Sequence, residues 1–70
     1  MKTISFIGTG KMATALISCI CKNNISRNII ASDKNNKNLI SIKKQYKIRI
    51  TKDNKEAVKN SDIVFICVKP

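Results

Sequence analysis

Apolar positions along the 70-residue chain fall into short unbroken runs, separated by polar stretches in which apolar residues recur at helical spacing. Thr3 to Ile7 is rich in β-branched and aromatic residues and predicts a buried strand. That run breaks at Gly8 and Gly10, the only two glycines. From Met12 the period changes, and Ala13, Leu16, Ile17 and Ile20 mark one face of a helix. Lys22-Asn23-Asn24 is a polar stop, with asparagine suited to a left-handed cap, and Ile25 to Arg27 reads as a loop. Asn28 to Ser32 predicts a second strand. Its Ile29, Ile30 and Ala31 show no alternation, which suits a strand covered on both faces, as in a parallel sheet.

The second half repeats the alternation more weakly. Asp33 to Asn38 is polar and opens a second helix, whose Leu39, Ile42 and Tyr46 form a narrow apolar stripe. Lys47 to Thr51 predicts a short third strand, more exposed because Ile48 and Ile50 alternate with charge. Asp53-Asn54-Lys55-Glu56 has the spacing of a capping box, with Asp53 capping a short helix through Lys59 and Ala57 and Val58 facing inward. Asn60-Ser61-Asp62 is a turn, and Ile63 to Val68 is the most apolar strand of all before Lys69-Pro70 ends it.

Strand and helix thus alternate as βαβαβαβ, the pattern of an α/β domain with a right-handed parallel sheet. The expected strand order is 3-2-1-4, the first part of a doubly wound, Rossmann-like fold. In that order the glycine turn and the ends of the second and fourth strands share one edge, beside the switch point where such sheets bind ligands. Gly8 to Ala13, Ser32 to Lys34 and Cys67 to Pro70 are then the stretches to test.

Composition narrows the picture only in places. Seventy residues allow one small unit with a modest core, and a hydrophobic fraction of 43% is ordinary for a folded domain. No apolar run approaches the length of a membrane span, and Gly8-Thr9-Gly10-Lys11 interrupts any signal-peptide pattern, so a cytoplasmic location is the default expectation. Fourteen Lys and Arg against four Asp and Glu give a net charge of +10, which invites a nucleic-acid reading. The lysines are scattered, however: Lys43-Lys44 is the only adjacent pair, and Tyr46 is the one aromatic residue outside the strands. A nucleic-acid face needs clustered charge or stacking platforms. Lys, Asn and Ile share A/T-rich codons, so a biased coding sequence explains the charge more simply, and a solvated basic surface is expected. Cys19, Cys21 and Cys67 make an odd count that argues against a disulfide framework. Cys19 and Cys21 point to different sides of a helix and no histidine is available, so no metal is expected and the thiols read as small apolar residues.

Candidate chemistry concentrates in the glycine turn. Gly8-Thr9-Gly10-Lys11-Met12-Ala13 fits G-x-G-x-x-A between a strand and a helix, the context in which this pattern binds dinucleotides. Gly8 permits the tight turn, Gly10 leaves room for a pyrophosphate, and Ala13 lets the helix pack closely on the strand. The helix N-terminus offers free N–H groups to the phosphates. A plain structural turn is the alternative. At the end of the second strand, Asp33 lies near where an acid would hold a ribose 2′-hydroxyl and favour NAD. Ser32 and Lys34 instead suit a 2′-phosphate. An N-cap of the second helix is an equal role for Asp33.

The whole chain resembles the N-terminal part of a pyrroline-5-carboxylate reductase. The likeness rests on Phe6-Ile7-Gly8-Thr9-Gly10-Lys11-Met12-Ala13, Asn28-Ile29-Ile30-Ala31-Ser32-Asp33, Asp53-Asn54-Lys55-Glu56-Ala57-Val58 and Ser61-Asp62-Ile63-Val64-Phe65-Ile66-Cys67-Val68-Lys69-Pro70. It implies reduction of 1-pyrroline-5-carboxylate to L-proline with NADPH, or NADH, as hydride donor. It also implies that Ile7 to Met12 hold the pyrophosphate, with Gly8, Gly10, Lys11 and Met12 at its centre and Ile7 and Thr9 beside it. Ser32 would lie near the adenosine 2′-phosphate, Asn54 would contact the cofactor, and Cys67, Val68, Lys69 and Pro70 would run alongside it. The family more often has Ala at Cys67, Ala or Gly at Thr9, and Arg at Lys34. It continues into a helical domain that forms the dimer and most of the imine site, which is absent from these 70 residues. The chain is therefore expected to be a truncated cofactor-binding part with no catalytic acid or base, inactive alone and belonging to a homo-oligomeric parent. Rival readings are the N-terminus of another NADP-dependent reductase, a non-catalytic nucleotide-binding remnant, and a small basic nucleic-acid binder.

Overall fold

A computed structural model describes residues 2–25 and 28–67. Its elements are β1 (Ile4–Ile7), α1 (Lys11–Lys22), β2 (Ile29–Ser32), α2 (Asn36–Tyr46), β3 (Arg49–Thr51), α3 (Asn54–Lys59) and β4 (Ile63–Ile66). The strands form one parallel sheet in the order β3-β2-β1-β4, the order the alternation predicts. Ile4 to Ile7 pair in register with Ile29 to Ser32 on one side and with Ile63 to Ile66 on the other. Ile30 to Ser32 pair with Arg49 to Thr51. Thr3 lies just outside β1, but its carbonyl accepts from the N–H groups of Asp62 and Ile63, so the turn before β4 is tied to the start of β1.

Side chains alternate across the sheet and build two unequal cores. Ile4, Phe6, Ile29 and Ala31 face α1 and α2, where they pack with Ala13, Ile17, Ile20, Leu39, Ile42 and Ile48. On the other face Ile7 and Ile30 meet Ala57 of α3, with Val64 half-buried beside them. Completely burying an aromatic or branched side chain stabilises by about 1.5–3 kcal/mol, so the first face carries most of the stability.

Local chemistry sets the element ends. After α1, Asn24 takes the left-handed conformation (φ 53°). Its N–H bonds to Cys21 and that of Ile25 to Ile20, which closes the helix in a Schellman arrangement as the asparagines suggest. The cap of α2 differs from the expectation. Asn35, not Asp33, is the N-cap, accepting from the Asn38 N–H, and the helix starts only at Asn36. Lys47 is not part of a strand: it ends α2 in a left-handed conformation (φ 55°), and β3 begins two residues later.

Asp53 does cap α3, but through the N–H of Lys55 at 2.9 Å. The capping box is incomplete. Glu56 receives the hydroxyl of Thr51, and that same hydroxyl accepts from the Asp53 N–H. A six-residue helix also presents only one face, so Ala57 is fully buried while Val58, expected inside, is 49% exposed. β4 is the most apolar strand, yet it lies at the open sheet edge, and Ile63, Phe65 and Ile66 are all exposed. Val68, which the sequence assigns to this strand, lies outside the described residues.

Candidate functional site

The ends of β1 and β2 build the glycine turn. Gly8 has φ 102°, a region that strains any residue with a β-carbon, and its N–H continues the ladder to the Ser32 carbonyl at 2.7 Å. Gly8 is therefore required by the fold itself. Gly10 is different. Its φ of −74° suits any residue, and a β-carbon placed there would meet nothing within 4 Å. Nothing among the described residues demands glycine at this position. The open space above it is what a side chain would fill, as expected where a ligand must approach the backbone.

α1 begins immediately behind this space. Among the described residues no side chain caps its N-terminus, and no acid lies in its first turn, whereas Asn35 and Asp53 cap α2 and α3. The first-turn N–H groups precede the first intrahelical bond, from Thr14 to the Gly10 carbonyl, and face the turn with the positive end of the helix dipole. Ala13 is fully buried, as close helix–strand packing needs, while Lys11 is exposed and Met12 is 70% exposed. Ile7 is buried in the smaller core below.

At the end of β2 the candidate residues engage one another. Ser32 is fully buried, and its hydroxyl donates to Oδ1 of Asn54 at the start of α3. These two, distant in sequence, are brought together, with the serine proton committed to the asparagine. Lys34, two residues after Ser32, is exposed. Asp33 turns toward the glycine turn. Its Oδ2 accepts from the Thr9 N–H at 2.9 Å and from the Thr9 hydroxyl at 2.5 Å, and its Oδ1 accepts from the Asn35 N–H at 3.0 Å. Partial burial pushes this carboxyl up, but the bonds from the Thr9 hydroxyl and the N–H groups of Asn35, Thr9 and Lys34 outweigh it and hold the pKa below the usual carboxylate value.

Cys67 reaches the same edge, its N–H donating to the Ile7 carbonyl at 2.8 Å. Burial raises the pKa of its thiol. Val68, Lys69 and Pro70 lie outside the described residues. A shallow groove of about 610 Å³ runs from Thr9, Gly10 and Lys11 past Thr14 to Asn38 and Tyr46 of α2. Ser32, Lys34 and Asn54 do not line it, so the candidate residues divide between the turn with its groove and the β2–α3 corner. The bond between Thr9 and Asp33 escapes a reading by motif. The register of Ile7 with Ser32 is the signal that would have revealed it, because it brings residues 8 and 9 alongside residues 33 and 34. Among the described residues no cluster of metal-ligating side chains occurs, and no helix is long and apolar enough to cross a membrane.

A parallel sheet in this order, with a glycine turn feeding an uncapped helix at its switch point, is the arrangement of dinucleotide-binding domains. Residues 3–70 match the model of the family described as NADP oxidoreductase coenzyme F420-dependent, and the chain belongs to that family. It is 34% identical over 73 residues to pyrroline-5-carboxylate reductase 2 of Bacillus subtilis (strain 168), covering 100% of this chain and 26% of the relative. To the pyrroline-5-carboxylate reductase of Methanosarcina acetivorans it is 41% identical over 69 residues, covering 96% of this chain and 26% of the relative. The fold matches the structure of a pyrroline-5-carboxylate reductase from Coxiella burnetii with a TM-score of 0.93 and 28% identity, over 99% of this chain and 26% of that one. The chain thus spans about a quarter of the length of these relatives, their N-terminal quarter.

Proposed function

We propose that this chain is the cofactor-binding part of a pyrroline-5-carboxylate reductase and holds NADPH in preference to NADH. Gly10 carries the reading: neither the backbone nor any described neighbour needs a glycine there, and the space it leaves lies at the uncapped N-terminus of α1. The likeness of the whole chain to reductases of that name supports the substrate. When bound, the dinucleotide supplies the hydride that reduces the imine carbon. The chain's own residues bind and orient. Gly8 to Met12 offer backbone N–H groups to the pyrophosphate. Lys34 offers a cation to a 2′-phosphate, and Ser32 and Asn54 shape the corner where the adenosine end lies. Cys67, just after β4, flanks the cofactor. No residue here is assigned as acid or base, and binding of the imine falls to sequence of the kind the longer relatives carry beyond this quarter. The same reading carries with it a cytoplasmic, homo-oligomeric enzyme.

Titrating NADPH fluorescence against the full chain and its Gly10→Val variant tests the turn. Loss of close approach is expected to weaken binding at least tenfold, equivalent to about 1.4 kcal/mol. Unchanged affinity in a folded variant would remove the glycine turn from the site. Replacing Lys34 by Ala is expected to narrow the preference for NADPH, and a wild-type preference for NADH would refute the assignment of the 2′-phosphate.

A further inference from the structure

We infer that Thr9 and Asp33 form a staple across the cofactor edge that sets the glycine turn and withdraws the Asp33 carboxylate from ribose recognition, making Thr9 a determinant of cofactor choice. The inference rests on the cofactor reading above and deepens it. The bond joins the two loops that a dinucleotide must straddle, the turn after β1 and the loop after β2, from positions 24 residues apart. Thr9 is 6% exposed and offers both its N–H and its hydroxyl to one oxygen, Oδ2. Oδ1 is engaged by Asn35.

A carboxylate has about four acceptor positions. The Thr9 N–H, the Thr9 hydroxyl and the Asn35 N–H already occupy both oxygens and stabilise the charge there. An acid that reads a ribose must accept from the 2′-hydroxyl, and Asp33 can do so only in competition with Thr9. A 2′-phosphate needs no acceptor from Asp33, and its nearest cation in sequence, Lys34, is exposed. The staple therefore disfavours NADH and tolerates NADPH. The backbone bond from Thr9 alone would hold the turn less firmly and leave one acceptor position on Oδ2 open.

The test compares Thr9→Ala and Thr9→Ser with wild type in the full chain, using NADH and NADPH dissociation constants from fluorescence titration and the Asp33 pKa from carbon-13 NMR of the cofactor-free protein. Thr9→Ala should lower the ratio of the NADH to the NADPH dissociation constant by about three- to tenfold, as for one hydrogen bond changing hands. It should also raise the Asp33 pKa toward its ordinary value. Thr9→Ser keeps the hydroxyl and should retain both wild-type values. An unchanged cofactor ratio in Thr9→Ala overturns the specificity role, and an unchanged Asp33 pKa overturns the staple. The pKa readout needs no cofactor. If wild type bound neither dinucleotide while that pKa moved as expected, the cofactor reading would fail, and the specificity role with it, with the staple itself intact.

Discussion

β1 and β4 are written in nearly the same residues, Ile4-Ser5-Phe6-Ile7 and Ile63-Val64-Phe65-Ile66, and they pair in register along their whole length. Phe6 and Phe65 even stack, with ring centroids 5.2 Å apart. Their surroundings nevertheless diverge: Phe6 is 0% and Phe65 38% exposed, and Ile7 is 8% and Ile66 74% exposed. β1 has β2 and β4 on its two sides. Its faces meet the packed helices of the larger core and Ala57 of α3. Among the described residues β4 has one strand neighbour, β1, and sits at the sheet edge. The difference teaches that a strand's apolar letters state what it can bury, while its place in the sheet decides what it does bury.

Truncating the stacked rings should separate the strands most sharply. Phe6→Ala is expected to cost about 3–5 kcal/mol, as for a fully buried aromatic. Phe65→Ala should cost roughly half of that or less, because part of its surface already meets solvent. Chemical denaturation of the full chain measures both, and equal costs would break the comparison. A smaller effect is expected at the one position where the strands differ. Among the described residues the buried Ser5 hydroxyl has no hydrogen-bond partner, and Ser5→Val, which writes β4's sequence into β1, should stabilise by about 1 kcal/mol. A destabilised Ser5→Val protein would show that the smaller core has no room for the added carbon. The smallest effect belongs to Ile66→Lys, expected to shift stability by no more than about 0.5 kcal/mol as an exposed edge substitution. A loss above about 2 kcal/mol would show that something in the full protein covers this edge.

The sequence by itself determined what depends on neighbours a few residues away. Gly8 sits where only a glycine turns without strain, Asn24 closes α1 in the left-handed conformation, and Asp53 caps α3, each legible because backbone dihedrals and nearby N–H groups are local properties. Unbroken apolar runs alternating with helical stripes likewise implied the parallel sheet and its order. The tertiary structure decided which distant groups meet. Asp33 was legible as a cap or a ribose ligand, yet the Ile7–Ser32 register places it against Thr9. Ser32 was legible as a phosphate ligand, and the packing of α3 delivers Asn54 to its hydroxyl. Val58 is an apolar residue that a local pattern assigns to the interior, and the short helix leaves it outside. Register and edge position arise from pairings between segments far apart in the chain, and no local window of residues contains that information.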